Sequence, residues 1–222
     1  MPTLRYLSAF ALVTGVIAGC TAETPKPPAA PAVVQPGAPG KPVQVLSSDA
    51  VPRADNIPIT AADVLFMQGM ISHHAQALRM TALVPTHSTN RDISLIAGRI
   101  AASQEDEITL MRRWLQDRGQ TVPDANHDHS GTGDGELMPG MLTEEQFAEL
   151  RKANGAEFDR LFVKYMIAHH MGALQMVEKL FNSDGGQETE INIYATHVGA
   201  DQSIEVDRMQ KLLAEMGVTS PK

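Results

Sequence analysis

The chain has 222 residues, a formal net charge of −8, and a composition that is 43% hydrophobic but only 5% aromatic. The acidic balance argues against a nucleic-acid partner, which needs a basic surface. The single cysteine, Cys20, excludes an intrachain disulfide and a cysteine metal site. The length suits one medium domain with extensions, its core resting on Leu, Ile, Met, Ala and Val.

Residues 1–20 read as an export signal. Arg5 supplies a positive start, Leu7 to Ile17 is an apolar run too short to span a bilayer, and small residues follow. Ile17-Ala18-Gly19-Cys20 resembles a bacterial lipobox, in which the cysteine is lipidated and becomes the first mature residue. Acyl chains bind membranes by burying methylenes. The expectation is therefore a protein tethered outside the cytoplasm, to the bacterial cell membrane or the outer membrane. Residues 21–58 carry nine of the fourteen prolines, between Pro25 and Pro58. That density opposes helix and sheet hydrogen bonding and predicts an extended tether.

The folded part is expected over 59–219. Thr60 reads as an N-cap with Asp63 in the first turn. Phe66, Met70, His73, Ala77 and Met80 then recur at alternating steps of four and three, a buried helical seam, with His74 beside it. Pro85 is expected to close this helix. A second helix is predicted from about Arg91 to Arg118, ending at Gly119, with Gln104 and Glu107 facing inward among apolar residues. A glycine-rich polar stretch holding His127 and His129 comes next, then Met138-Pro139-Gly140-Met141, together read as a loop. Thr143-Glu-Glu-Gln146 reads as a capping box for a short helix to about Ala153.

The chain then repeats itself. At an offset of 96, Asp63 falls on Asp159, Phe66 on Phe162, Met70 on Met166, His73-His74 on His169-His170, Ala77 on Ala173, and Met80 on Met176. At an offset of 98, Gln104 falls on Gln202, Glu107 on Glu205, Met111 on Met209, and Gly119 on Gly217. The repeat thus covers helix pairs, 59–119 and 156–217, with the last helix predicted from Ala195 to Met216. One helix pair cannot bury its seam alone; two stacked pairs predict an all-α four-helix bundle around one core.

Four imidazoles at the same depth demand an explanation. Burying each without a partner costs about 1–3 kcal/mol. Two explanations are open: metal coordination, or a hydrogen-bonded polar layer completed by Asp63, Asp159, Gln104, Glu107, Gln202 and Glu205. Imidazole suits zinc, copper, iron and nickel, and thioether sulfur favours copper. Met70 and Met166 stand three residues before His73 and His169, on the same helix face. The metal set is therefore His73, His74, His169, His170, Met70 and Met166, with copper favoured over iron or zinc. His127, His129, Met138 and Met141 make a second candidate site. No Glu-x-x-His occurs, which disfavours a di-iron oxidase, and no nucleophile triad, phosphate loop or zinc-protease motif is readable. An enzyme is thus disfavoured, though a metal-dependent redox enzyme and a metal-free interaction bundle stay open. Oligomeric state is not legible.

Phe-x-x-x-Met-x-x-His-His-x-x-Ala-x-x-Met, followed by Gln-x-x-Glu-[Ile/Val]-x-x-Met, in two copies with Met-Pro-Gly-Met-Leu-Thr between them, resembles the family known as domain of unknown function 305. The resemblance covers about 59–217. It implies a ferritin-like fold, export, and kinship with periplasmic copper-binding proteins linked to copper resistance. It also implies ligand roles for the four histidines and for Met70 and Met166.

Overall fold

The computed structural model describes residues 57–124 and 137–217, together with the backbone of two short strands nearer the start. The signal segment with Cys20, most of the proline-rich stretch, and His127 and His129 lie outside the described residues. The strands β1 (Val33–Gln35) and β2 (Gln44–Leu46) pair antiparallel, with Val33 opposite Leu46. This departs from the expectation of an unpaired tether. Pro31, Pro36 and Pro42 flank these Val-containing segments instead of interrupting them, so no ladder donor is lost.

The helical unit begins with a capping box. The Thr60 hydroxyl accepts from the Asp63 amide at 3.2 Å, and the Asp63 carboxylate accepts from the Thr60 amide at 2.8 Å. This starts α1 (Ala61–Thr81). The other Asp63 oxygen accepts from the amide of Gly186, 2.7 Å away, and so ties a distant turn to the start of α1. Pro85 does not close this helix. Instead α1 ends at Thr81, and Pro85 sits in the first turn of the short α2 (Val84–His87), where its fixed φ and missing N–H are no handicap. The helix α3 (Arg91–Asp117) is capped by Asn90 and stops before Gly119, whose φ is +63°. Thr143 and Gln146 form the second capping box, for α4 (Glu144–Lys152). Two long helices complete the unit, α5 (Gly155–Phe181) and α6 (Thr189–Glu215). The start of α6 precedes its predicted start at Ala195 because the Glu188 carboxylate caps it, and Ile191 and Tyr194 already face the core.

The chain is helical, as its seams require. α1 packs against α3 and α5 against α6, while α1 against α5 joins the two pairs. The apolar core is divided in two. One cluster takes Ala77 and Met80 of α1, Ile93 to Ile100 of α3, Phe158 to Met166 of α5, Met209 and Leu213 of α6, and Phe147 and Leu150 of α4. The other takes Phe66 to Ile71, Ile108 to Leu115, Ala173 to Leu180, and Ile191 to Val198. The start of α1 therefore lies with the end of α5, so these two helices run antiparallel. In the gap between the clusters every long helix carries polar residues: His73 and His74, Gln104 and Glu107, His169 and His170, Gln202 and Glu205.

Candidate metal centre

The four imidazoles are fully buried at the crossing of α1 and α5. The His73 and His169 ring centroids are 3.8 Å apart, with planes inclined at 36°. His74 and His170 stand outside this central pair, 6.4 and 6.2 Å from their neighbours. Every ring uses Nε2 in the same way. Nε2 of His73 donates to the Pro139 carbonyl at 3.0 Å, and that of His169 to the His73 carbonyl at 2.9 Å. Nε2 of His74 meets a Glu107 carboxylate oxygen at 2.5 Å, and that of His170 meets Glu205 at 2.7 Å. All four partners are acceptors, so Nε2 carries the proton and, in the neutral ring, Nδ1 is left with a bare lone pair.

Each of those four Nδ1 atoms is buried and has no hydrogen-bond partner in the protein. This geometry bears on the two explanations left open by the sequence. A self-sufficient polar layer would satisfy both nitrogens of each ring. Here one nitrogen is anchored and the other is free, which is how a ligating histidine is held: the outer contact fixes the tautomer and raises basicity while the inner nitrogen faces the ion. Burial and the neighbouring His74 push the pKa of His73 down to about 3. Burial and the charge of His73 hold His169 well below the ordinary imidazole range. Both stay in the neutral form that binds metal.

The remaining sequence candidates divide by position. Glu107 and Glu205 join the centre as partners of His74 and His170, their side chains 16% and 14% exposed. Gln104 and Gln202 lie at the same depth, and neither end of either amide has a partner. Met70 and Met166 are fully buried one turn before the histidines, in opposite apolar clusters, and so flank the imidazole layer on its two sides. Asp63 and Asp159 are not brought to the centre. Each precedes its histidine by ten residues, about 15 Å along the helix axis, and Asp63 is committed to capping and to Gly186. Among the described residues, no three His, Cys, Asp or Glu side chains gather as one ligand group. A third donor for a soft ion could be thioether sulfur.

Met138 and Met141 are not in a solvated linker. Both are buried, and the segment forms a turn in which the Met141 amide donates to the Met138 carbonyl at 3.1 Å, with Pro139 and Gly140 (φ +74°) at its corners. Gln76 of α1 clamps the adjoining Leu142: its amide nitrogen donates to the Leu142 carbonyl at 3.0 Å, and its oxygen accepts from the Leu142 amide at 2.7 Å. The turn lies so close to α5 that a Cβ on Gly172 would stand 1.9 Å from the Pro139 oxygen. Pro139, Gln76 and Gly172 are therefore part of the centre's support, and sequence reasoning missed all three. The available signal for Gln76 was an uncharged polar side chain three residues after His73, on the same helix face. Tyr194 was missed as well. Its buried hydroxyl has no partner, and burial together with the nearby Glu107 charge drives its pKa well up.

A family model described as a domain of unknown function, DUF305, matches residues 63–213. The chain belongs to the DUF305 family. Solved structures agree in fold. A DUF305 protein of Streptomyces coelicolor, named as a secreted protein, is 25% identical with a TM-score of 0.61, over 72% of this chain and 97% of that one. A DUF305 fragment from Deinococcus radiodurans is 28% identical with a TM-score of 0.62, over 72% and 99%. CopM in its Cu(II)-bound form is 26% identical with a TM-score of 0.56, over 69% and 96%. No curated protein matches this sequence.

Proposed function

We propose that this DUF305 chain is an exported, lipid-anchored protein that binds and buffers copper outside the cytoplasm, without turning over a substrate. The observation that carries the reading is the set of four buried Nδ1 lone pairs, each on a ring whose Nε2 is already engaged. His73, His74, His169 and His170 would supply nitrogen, and Met70 and Met166 thioether sulfur, a donor set suited to copper and most of all to Cu(I). The likeness to a copper-bound CopM supports the choice of ion. The likeness to a protein named as secreted supports export, as does the lipobox resemblance ending at Cys20. Bound ions would offset the cost of the bare lone pairs and hold α1 to α5 at their crossing.

The test is a competition titration of Cu(I) against a chromophoric chelator. Changing all four histidines to alanine is expected to abolish tight binding, and unchanged affinity would remove the claim. Glu107→Gln with Glu205→Gln leaves every ligand in place and should weaken binding by about 10–100-fold, with helicity retained by circular dichroism. Cys20→Ala should move the protein from the membrane to the soluble fraction of the envelope; an unchanged distribution refutes the anchor.

A further inference from the structure

A second pair of methionines lies outside the imidazole layer. Gly69 of α1 has no side chain, and two methionines converge on the space a Cβ would take: Met138 Sδ is 3.3 Å from that point and the Met176 methyl 3.4 Å. They come from different elements, Met138 from the turn and Met176 from α5. Met138 is 8% exposed and Met176 only partly buried, at the margin of the apolar cluster.

This pair is coupled to the imidazoles by two short links. His73 stands four residues after Gly69, one turn further along the same face of α1. Its Nε2 donates to the carbonyl of Pro139, the residue next to Met138. Thioethers at Gly69, the Pro139 carbonyl at His73 and Leu142 at Gln76 thus run as a ladder along α1. The other half of the chain has no counterpart. At the offset of 96, Tyr165 replaces Gly69, and its hydroxyl donates to Glu149 of α4. Met80, which corresponds to Met176, is fully buried.

We infer that Met138 and Met176 form a shallow two-sulfur site for a soft monovalent cation, the point at which Cu(I) docks before it exchanges onto the buried imidazoles. Thioethers are neutral and favour Cu(I) over hard ions. The exchange swaps sulfur for nitrogen donors with no change in oxidation state. The approach exists only beside Gly69 and not beside its repeat equivalent Tyr165, so loading is one-sided. The inference rests on the proposed copper function, yet the two can fail separately.

Silver(I) is the probe, added to the full chain labelled with methyl-¹³C methionine and followed by NMR. The Met138 and Met176 methyl signals, assigned through the single leucine variants, should move at the first substoichiometric additions. Met138→Leu with Met176→Leu, a volume-conserving change, should bind one silver equivalent fewer. The four-histidine variant should keep the shifts of these two methyls. If the two signals stay fixed while others move, if the double leucine variant keeps full stoichiometry, or if the four-histidine variant loses the shifts, the two-sulfur site is refuted. If that variant binds Cu(I) as tightly as the parent while the two methyls shift, the buried centre fails and this site stands. A parent protein that takes neither ion removes both.

Discussion

Replacing Gly172 by alanine should destabilise the protein even though alanine is the better helix former. Position 172 lies inside α5, where the exchange alone would stabilise by about 1 kcal/mol. The added Cβ would, however, meet backbone only: the Pro139 oxygen at 1.9 Å, its carbonyl carbon at 2.4 Å and the Gly140 nitrogen at 2.7 Å. No rotamer relieves such a contact, so the turn must retreat by about 1.5 Å to reach ordinary van der Waals distance. A retreat of that size takes the Pro139 carbonyl beyond hydrogen-bond reach of His73, now 3.0 Å away. Overpacking costs about 1–3 kcal/mol, and leaving the buried His73 N–H unpaired about 1–3 kcal/mol more. Against the helical gain, the net loss is about 3 kcal/mol, or a fall in Tm of about 6–12 °C for a domain of this size. Thermal melts of the metal-free protein followed by circular dichroism measure it. Gly98→Ala is the control, since nothing lies within 4 Å of its Cβ position in α3, and it should be stabilising by about 0.5–1 kcal/mol. Equal stability of the two variants would refute the proposed clamp between the turn and α5.

Two further outcomes are expected. Asp63→Ala removes the carboxylate that accepts from the Thr60 amide and orphans the Gly186 amide, so it should cost about 2–3 kcal/mol in urea unfolding while leaving copper affinity unchanged; an affinity loss with intact stability would return Asp63 to the metal centre. The metal-free protein should also lose stability in acid. His73 and His169 titrate far lower in the folded state than the ordinary value of about 6.5. The unfolded chain thus binds more protons between about pH 6.5 and pH 3, and stability present above that window is lost as pH falls through it. The slope should steepen towards about 1.4 kcal/mol per pH unit for each imidazole. Urea midpoints that stay flat from pH 7 to pH 5 would contradict this.

The helices were legible because their signals are local. Thr60 with Asp63, Thr143 with Gln146, and glycines 119 and 217 mark ends through contacts within a turn. The histidines announced themselves through duplication. The supports were not legible, because they depend on residues distant in sequence. Gln76 meets Leu142 across 66 residues, and His73 meets Pro139 across the same separation. A Pro-Gly turn beside a polar glycine-rich run has the composition of a surface loop, and only the pocket left by Gly69 and Gly172 buries it. Asp63 and Asp159 were misgrouped with the histidines for a related reason. An offset reveals equivalence between copies but not height along a helix, and ten residues carried both carboxylates away from the imidazoles.

Each apolar cluster draws on all four long helices, which has a consequence for how such a chain could arise. A half-length polypeptide carrying α1 and α3 would own a portion of both clusters and could complete neither, so its stable form would be a pair of identical subunits. Identical subunits related by a twofold axis must present the same groups on both sides. Fusion lifts that constraint and holds the partners at high effective concentration. Gly69 beneath the turn and Tyr165 beneath α4 are the kind of divergence that only a fused pair can tolerate, and they give an inherited symmetric core one distinct face.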